Sequence, residues 1–74
     1  MVKVWDFVEQ DRFADGRVET VRHWLIKGRT REEALRHALR EALAQYPEAR
    51  AAPGGVVCFE WPEGTTREWL LVDG

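Results

Sequence analysis

The chain lacks several features, and each absence narrows the class of protein it can be. Its only cysteine, Cys58, cannot form an internal disulfide, which excludes a secreted miniprotein held together by disulfides. No apolar run approaches the roughly 20 residues that a membrane-spanning helix needs. The first residues include acids where a signal peptide would have a basic start and an apolar core. We therefore expect a cytoplasmic protein.

The residues that are present are typical of a small folded domain. Of 74 residues, 45% are hydrophobic and 32% are charged, a balance that separates the chain from disordered proteins. Nine arginines against two lysines, with no serine or asparagine, fit either a thermophilic source or a GC-rich genome. We predict one domain over residues 1–74, and its core must be small because so short a chain hides only about 60% of its surface on folding.

The N-terminal part of the chain predicts a β-hairpin. Residues 2–13 and 18–27 are rich in β-forming residues, and Asp15-Gly16 between them favours a tight two-residue turn. The register that follows brings aromatic residues together on one face and creates two cross-strand ion pairs. On that face it pairs Phe13 with Val18, Glu9 with Arg22, Phe7 with Trp24 and Trp5 with Ile26. On the other face it pairs Arg12 with Glu19, Val8 with His23, Asp6 with Leu25 and Val4 with Lys27.

A helix is predicted after this hairpin. Thr30 and Glu33 form a T-x-x-E capping box, in which each side chain can satisfy a free amide at the helix start. Pro47 cannot continue a helix, so the helix ends near Tyr46. Apolar residues recur at spacings of three and four and therefore form one stripe: Leu35, Ala38, Leu39, Ala42, Leu43 and Tyr46.

The remaining residues predict a loop and a second hairpin. Residues 48–55 are interpreted as a loop, and the strands 56–61 and 66–72 flank a turn at Pro62-Glu63-Gly64. The register of this hairpin stays open. A two- or four-residue loop sets Cys58 opposite Trp69, whereas a three-residue loop sets Val57 there. The fold class predicted is α+β, a four-stranded antiparallel sheet of order ββαββ with one helix packed on one face.

One helix can cover only one side of such a sheet, yet the strands carry apolar residues on both sides. The alanine-rich helix stripe leaves room for bulky partners, which favours packing on the aromatic side. The uncovered face then suits a homodimer or a protein partner, through Val4, Val8, Val21, His23 and Leu25. We therefore predict a non-enzymatic self-association or protein-interaction module. The other interpretation is that these apolar residues are singly exposed, as they are on many monomers.

Single-stranded nucleic-acid binding is the competing hypothesis. Residues 22–40 contain six basic residues and two acids, and sheet aromatics can stack on unpaired bases. Against this hypothesis stand the net charge of −2 and the absence of the basic-Gly-aromatic signature of an RNA-recognition motif. The residues that would contact phosphates are Arg22, Lys27, Arg29, Arg31, Arg36 and Arg40.

Catalysis and metal binding are not predicted. Cys58 lies mid-strand, and neither His23 nor His37 stands at a spacing that would place it beside the thiol or beside another metal ligand. No phosphate-binding glycine loop or nucleophile elbow occurs. We therefore predict no catalytic residue, no cofactor and no metal.

The junction between the second strand and the helix resembles that of HicB-like antitoxin domains. The likeness is carried by Gly28-Arg29-Thr30-Arg31-Glu32-Glu33-Ala34-Leu35, with Ala38, Ala42 and Leu43 following. In that family a sheet containing a hairpin leads through a similar segment into one amphipathic helix. The chain departs from the family in lacking the Pro-Gly-Cys stretch that often precedes this junction. The resemblance implies a dimeric, non-catalytic protein that neutralises a small ribonuclease toxin.

Overall fold

The structure is a computed structural model that describes residues 1–72, within which five strands and one helix form. In chain order these are β1 (Lys3–Arg12), β2 (Val18–Gly28), α1 (Arg31–Gln45), β3 (Arg50–Ala52), β4 (Gly55–Glu60) and β5 (Thr66–Leu71). The strands form one antiparallel sheet in the order β2-β1-β5-β4-β3. The first and last strands therefore pair with each other in the interior of the sheet.

The prediction of a four-stranded sheet of order ββαββ is wrong, because β3 adds a fifth strand. This strand lies in the segment that was interpreted as a loop, and its sequence, Arg-Ala-Ala, contains no β-branched or aromatic residue. Arg50 pairs with Val57 and Ala52 with Gly55, across a two-residue turn formed by Pro53 and Gly54. An edge strand this short forms because it pairs with its neighbour, not because its residues favour β-structure. The sequence of β3 therefore does not predict a strand.

The first hairpin has the predicted register from Val4 to Glu9, but not near its turn. The turn contains three residues rather than two. The Phe13 amide donates to the Arg17 carbonyl at 2.8 Å, and Gly16 adopts φ +91°, a conformation that favours glycine. The longer loop shifts the pairing by one residue, so Arg12 lies opposite Val18 instead of Glu19. A β-bulge at Val21 restores the predicted register beyond it.

The second hairpin repeats this arrangement. The Trp61 amide donates to the Thr65 carbonyl at 2.8 Å around a three-residue loop, in which Gly64 adopts φ +103°. The register expected for a three-residue loop holds next to the turn, where Phe59 lies opposite Arg67. A bulge then skips Cys58 and sets Val56 opposite Trp69. Neither of the two open registers therefore extends along the whole hairpin.

The predicted start and end of the helix are confirmed. Thr30 is the N-cap and its hydroxyl accepts from the Glu33 amide at 3.1 Å, while Tyr46 is the C-cap. The Glu33 carboxylate accepts from the amide of Arg29 at 2.9 Å, one residue before the cap. This hydrogen bond lowers the pKa of Glu33, so the carboxylate stays ionised at the positive end of the helix.

The helix α1 packs on the aromatic face of the sheet. Its contact stripe consists of Ala34, Ala38 and Ala42, all fully buried, at a spacing of four residues. Five residues of the predicted stripe lie in or against the core, namely Leu35, Ala38, Leu39, Ala42 and Tyr46. Leu43 does not, since it is 43% exposed, and Ala34 was not predicted. Small alanine side chains let the helix approach the sheet closely. The other buried hydrophobic residues of the core are Phe7, Ile26, Val56, Cys58 and Trp69.

Candidate functional site

The face of the sheet turned away from α1 is covered by no other element within residues 1–72. Side chains alternate between the two faces of a strand, so the neighbours of buried Phe7 and Trp69 point to this side. We call it the helix-free face and define it by five aliphatic residues of β1, β2, β4 and β5: Val4, Val8, Leu25, Val57 and Leu70.

These aliphatic residues leave apolar surface open to solvent. Leu25 is 71% exposed and Val4 is 61% exposed, whereas Val8 and Leu70 are half-buried. Val8 lies opposite Leu70 on β5, whereas Val4 lies opposite Lys27 and Leu25 opposite Asp6, so the aliphatic residues of this face alternate with charged ones. Apolar side chains exposed together on one face and bordered by polar groups are typical of interaction sites.

The charged groups of the helix-free face are largely paired within the chain. His23 Nδ1 lies 2.8 Å from Asp6 Oδ1. Glu68 is only 6% exposed, accepts from Gln10 at 2.8 Å and forms an ion pair with Arg12 at 3.3 Å. Covering this face would therefore not bury an isolated charge, which is the arrangement that opposes association most strongly.

Four of the five residues predicted to contact a partner lie on this face: Val4, Val8, His23 and Leu25. Val21 lies at the bulge, half-buried and without a cross-strand partner in β1, so strand alternation does not assign it to either face. Val57 and Leu70 were missed, since the register of the second hairpin could not be chosen from the sequence.

The covered face ends in a buried polar cluster beyond the last turn of α1. Glu9 is fully buried and accepts from Trp24 Nε1 at 2.8 Å and from the Tyr46 hydroxyl at 2.5 Å. Arg22 Nε lies 3.3 Å from the same carboxylate. Burial, followed by the hydrogen bond to Glu9, raises the pKa of Tyr46 above its ordinary value. Both Glu9 oxygens are thus occupied by donors that attach the helix end and β2 to β1.

A second ion pair borders this cluster. Arg67 donates two hydrogen bonds of 2.8 Å to Asp11, and these bonds raise the pKa of Arg67. Its guanidinium lies 5.5 Å from the ring centroid of Trp61 and 5.8 Å from that of Phe59, within the range of a cation–π contact. The carboxylates of Glu9 and Asp11 are thus engaged in contacts that hold elements of the fold together. The sequence predicted only the pairing of Glu9 with Arg22.

The residues considered for catalysis are not arranged for it. Cys58 is fully buried, and burial raises the pKa of its thiol to about 12, so it is protonated at neutral pH and a poor nucleophile. His37 Nδ1 is instead hydrogen-bonded to the Lys27 carbonyl at 2.7 Å. Within the described part of the chain, no three His, Cys, Asp or Glu side chains are grouped so that they could hold a metal ion.

The six basic residues of the nucleic-acid hypothesis are all exposed, but the aromatics are not arranged around them as a stacking platform. Phe7 and Trp69 are fully buried, and Trp24 stacks on Trp69 with ring centroids 4.6 Å apart. Arg22 lies 5.9 Å from the Trp24 ring and pairs with Glu9. These aromatic rings mainly contact one another and the helix.

Comparisons with known proteins do not identify a family. No protein-family model matches the chain, no curated protein matches it, and no solved structure matches its fold. The resemblance to HicB-like domains therefore stays a prediction. As for membranes, the helix found in residues 1–72 is neither long enough nor apolar enough to cross one.

Proposed function

We propose that the protein is a non-enzymatic self-association module that forms a homodimer through its helix-free face. The observation that carries this proposal is the pair of strongly exposed aliphatic side chains, Leu25 and Val4, beside half-buried Val8 and Leu70. Two sheets that pack face to face bury such residues between them, as in a β-sandwich.

The energetics of this contact fit a reversible dimer. Full burial of one such side chain contributes about 1.5–3 kcal/mol, and a two-fold interface contains every contact twice. Leu25 and Val4 are 71% and 61% exposed, so burying the rest of these side chains in two copies contributes about 4–8 kcal/mol before costs, against an association cost of about 4–15 kcal/mol. Half-buried Val8, Val57 and Leu70 add to the favourable side.

A second copy suits this face because most of its charged groups already have a partner within the chain. Arg12 and Glu68 form an ion pair, the Asp6 carboxylate is hydrogen-bonded to His23, and Lys27 adds a charge opposite in sign to that of Asp6. A two-fold dimer therefore avoids the like-charge repulsion that a one-sign surface would produce against itself. A differently charged partner would gain no electrostatic advantage over a copy of the chain.

Sedimentation velocity over a micromolar concentration series tests the proposal, with Leu25→Asp as the disrupting variant. Leu43→Asp is the matched control, since Leu43 is also exposed but lies on α1. We expect wild type and Leu43→Asp to dimerise and Leu25→Asp to remain monomeric, with unchanged circular dichroism in all three. A strictly monomeric wild type, or equal dissociation of both variants, would contradict the proposal.

Several finer predictions belong to the same proposal. A dimeric, antitoxin-like role agrees with the resemblance around Gly28–Leu35, and a cytoplasmic location agrees with a single buried thiol. A thermophilic source stays a prediction from composition. Single-stranded nucleic-acid binding has less support, because Phe7 and Trp69 are buried. Absence of binding to single-stranded RNA and DNA at low salt would eliminate it.

A further inference from the structure

The sheet has two very different edges. The edge strand β3 has three residues and is followed by Pro53, whereas β2 has eleven residues and pairs only with β1 on its inner side. The outer backbone groups of an edge strand are a template for another extended chain. The bulge at Val21 and the hydrogen bond from His37 to the Lys27 carbonyl limit the regular open stretch to residues 22–26.

A groove of about 320 Å³ lies beside this edge, between β2 and α1. Its apolar part is formed by Trp24, Leu25 and Ile26 of β2. Its charged rim contains His37, Arg40 and Glu41 of α1, together with Lys27 of β2, whose side chain lies opposite Val4 and therefore on the helix-free side of the strand. The edge thus carries two permanent positive charges and an imidazole against one carboxylate. We call this space the β2 groove. It has both an apolar surface and a net positive rim.

We propose that the outer edge of β2 and the β2 groove bind an extended acidic segment of a partner protein by strand addition. Backbone hydrogen bonds to residues 22–26 would supply affinity, and alternate side chains of the segment would enter the groove. Acidic side chains on the groove side of the segment meet Arg40, and those on its other side meet Lys27, whereas basic ones would be repelled. This surface shares Leu25 with the helix-free face, but it uses the strand edge and does not require the homodimer.

The test uses the full-length chain, labelled with nitrogen-15, and a short peptide in which glutamate alternates with valine. Titration followed by NMR is expected to shift the amides of residues 22–26 together with those of His37 and Arg40. A peptide that alternates lysine with valine should not bind. Two further versions of the acidic peptide carry N-methyl groups on alternate backbone nitrogens, one at the odd-numbered and one at the even-numbered residues. One of the two should lose binding, because its methyl groups remove the amide donors that face the edge strand.

Charge-reversal variants provide the control in the protein. Arg40→Glu should weaken binding about tenfold, because Arg40 lines the groove. Arg36→Glu, an exposed substitution on the same helix outside the groove, should leave the affinity nearly unchanged. Val4→Asp, an exposed substitution on β1 outside the groove, should still bind the peptide if it dissociates the dimer, which separates this proposal from the homodimer.

Four results would overturn the inference. They are no binding of the acidic peptide, shifts confined to Val8, Val57 and Leu70 in the middle of the helix-free face, equal weakening by Arg36→Glu and Arg40→Glu, and unimpaired binding of both methylated peptides. A fifth is displacement of the peptide by single-stranded DNA with tighter binding at the same residues, which would assign the groove to nucleic acid instead.

Discussion

The two faces of the sheet are both rich in apolar residues, but only one of them is covered. On the side of α1, Phe7 and Trp69 are fully buried, whereas on the opposite side their strand neighbours include Leu25, which is 71% exposed. The helix, not the strand composition, makes this difference. The chain carries more apolar sheet surface than one helix of fifteen residues can shelter.

The covered face also shows how a small domain fits large side chains under a helix. Ala34, Ala38 and Ala42 contribute little volume, so the backbone of α1 comes close while Trp69 and Phe7 fill the space beneath it. The helix-free face has no such complement. Its residues stabilise the single chain weakly and are available to stabilise an assembly.

Alanine substitutions at adjacent positions of β1 should give the largest contrast between the faces. Phe7→Ala should cost about 3–5 kcal/mol of unfolding free energy, because it removes a fully buried ring. Val8→Ala, on the half-buried opposite side, should cost less than about 1 kcal/mol in the monomer. Urea denaturation, at protein concentrations too low for the dimer to form, measures both losses of unfolding free energy. Equal losses would show that the faces are equally packed.

Glu9 on the covered face and Glu68 on the helix-free face allow a second comparison of the two faces, with an intermediate expected loss of unfolding free energy. Glu9→Gln should cost about 3 kcal/mol, because Glu9 is fully buried and the change leaves the half-buried Tyr46 and Trp24 donors, as well as Arg22, facing an amide. Glu68→Gln should cost about 1 kcal/mol or less, since its partner Arg12 is half exposed. Thermal and chemical denaturation of both variants supply the test, and the reverse order would contradict it.

The stability of the protein at alkaline pH should depend on Tyr46, which lies in the polar cluster at the end of the covered face. The pKa of Tyr46 is raised in the folded state, so its contribution to stability is fully present below its ordinary pKa of 10.0. That contribution is lost as pH rises through the higher folded value, and unfolding free energy should therefore fall at alkaline pH.

Ultraviolet titration of the phenolate measures this shift without ambiguity, because the chain contains one tyrosine. In Glu9→Gln the pKa of Tyr46 should fall, yet stay above its ordinary value, since burial is the larger cause. An unchanged pKa in that variant would argue against the hydrogen bond between the two side chains.

The smallest effect concerns reactivity rather than stability. With its pKa raised to about 12 by burial, Cys58 should not react with a thiol reagent at about pH 8 until the protein unfolds. Leu25→Cys would place a second thiol on the helix-free face, where it should be modified quickly in the native monomer. Similar rates for the two thiols would mean that the core opens readily.

Local signals in the sequence predicted much of the fold. The capping box at Thr30 and Glu33 and the aromatic pairing of Phe7 with Trp24 follow from neighbouring residues and strand alternation. The bulges at Val21 and Cys58 could not be predicted, because each compensates for a loop length that the residues alone leave ambiguous. The face on which Val21 lies consequently does not follow from strand alternation.

The sequence alone determined the helix limits, the turn positions and the excess of apolar residues over what one helix can cover, since these depend on local propensity and composition. Only the tertiary structure decided that Arg50–Ala52 is a strand, that β1 pairs with β5, and that Glu9 lies buried among Tyr46, Trp24 and Arg22. Those features depend on contacts between distant residues, which compete with one another and are not marked by any short stretch of chain.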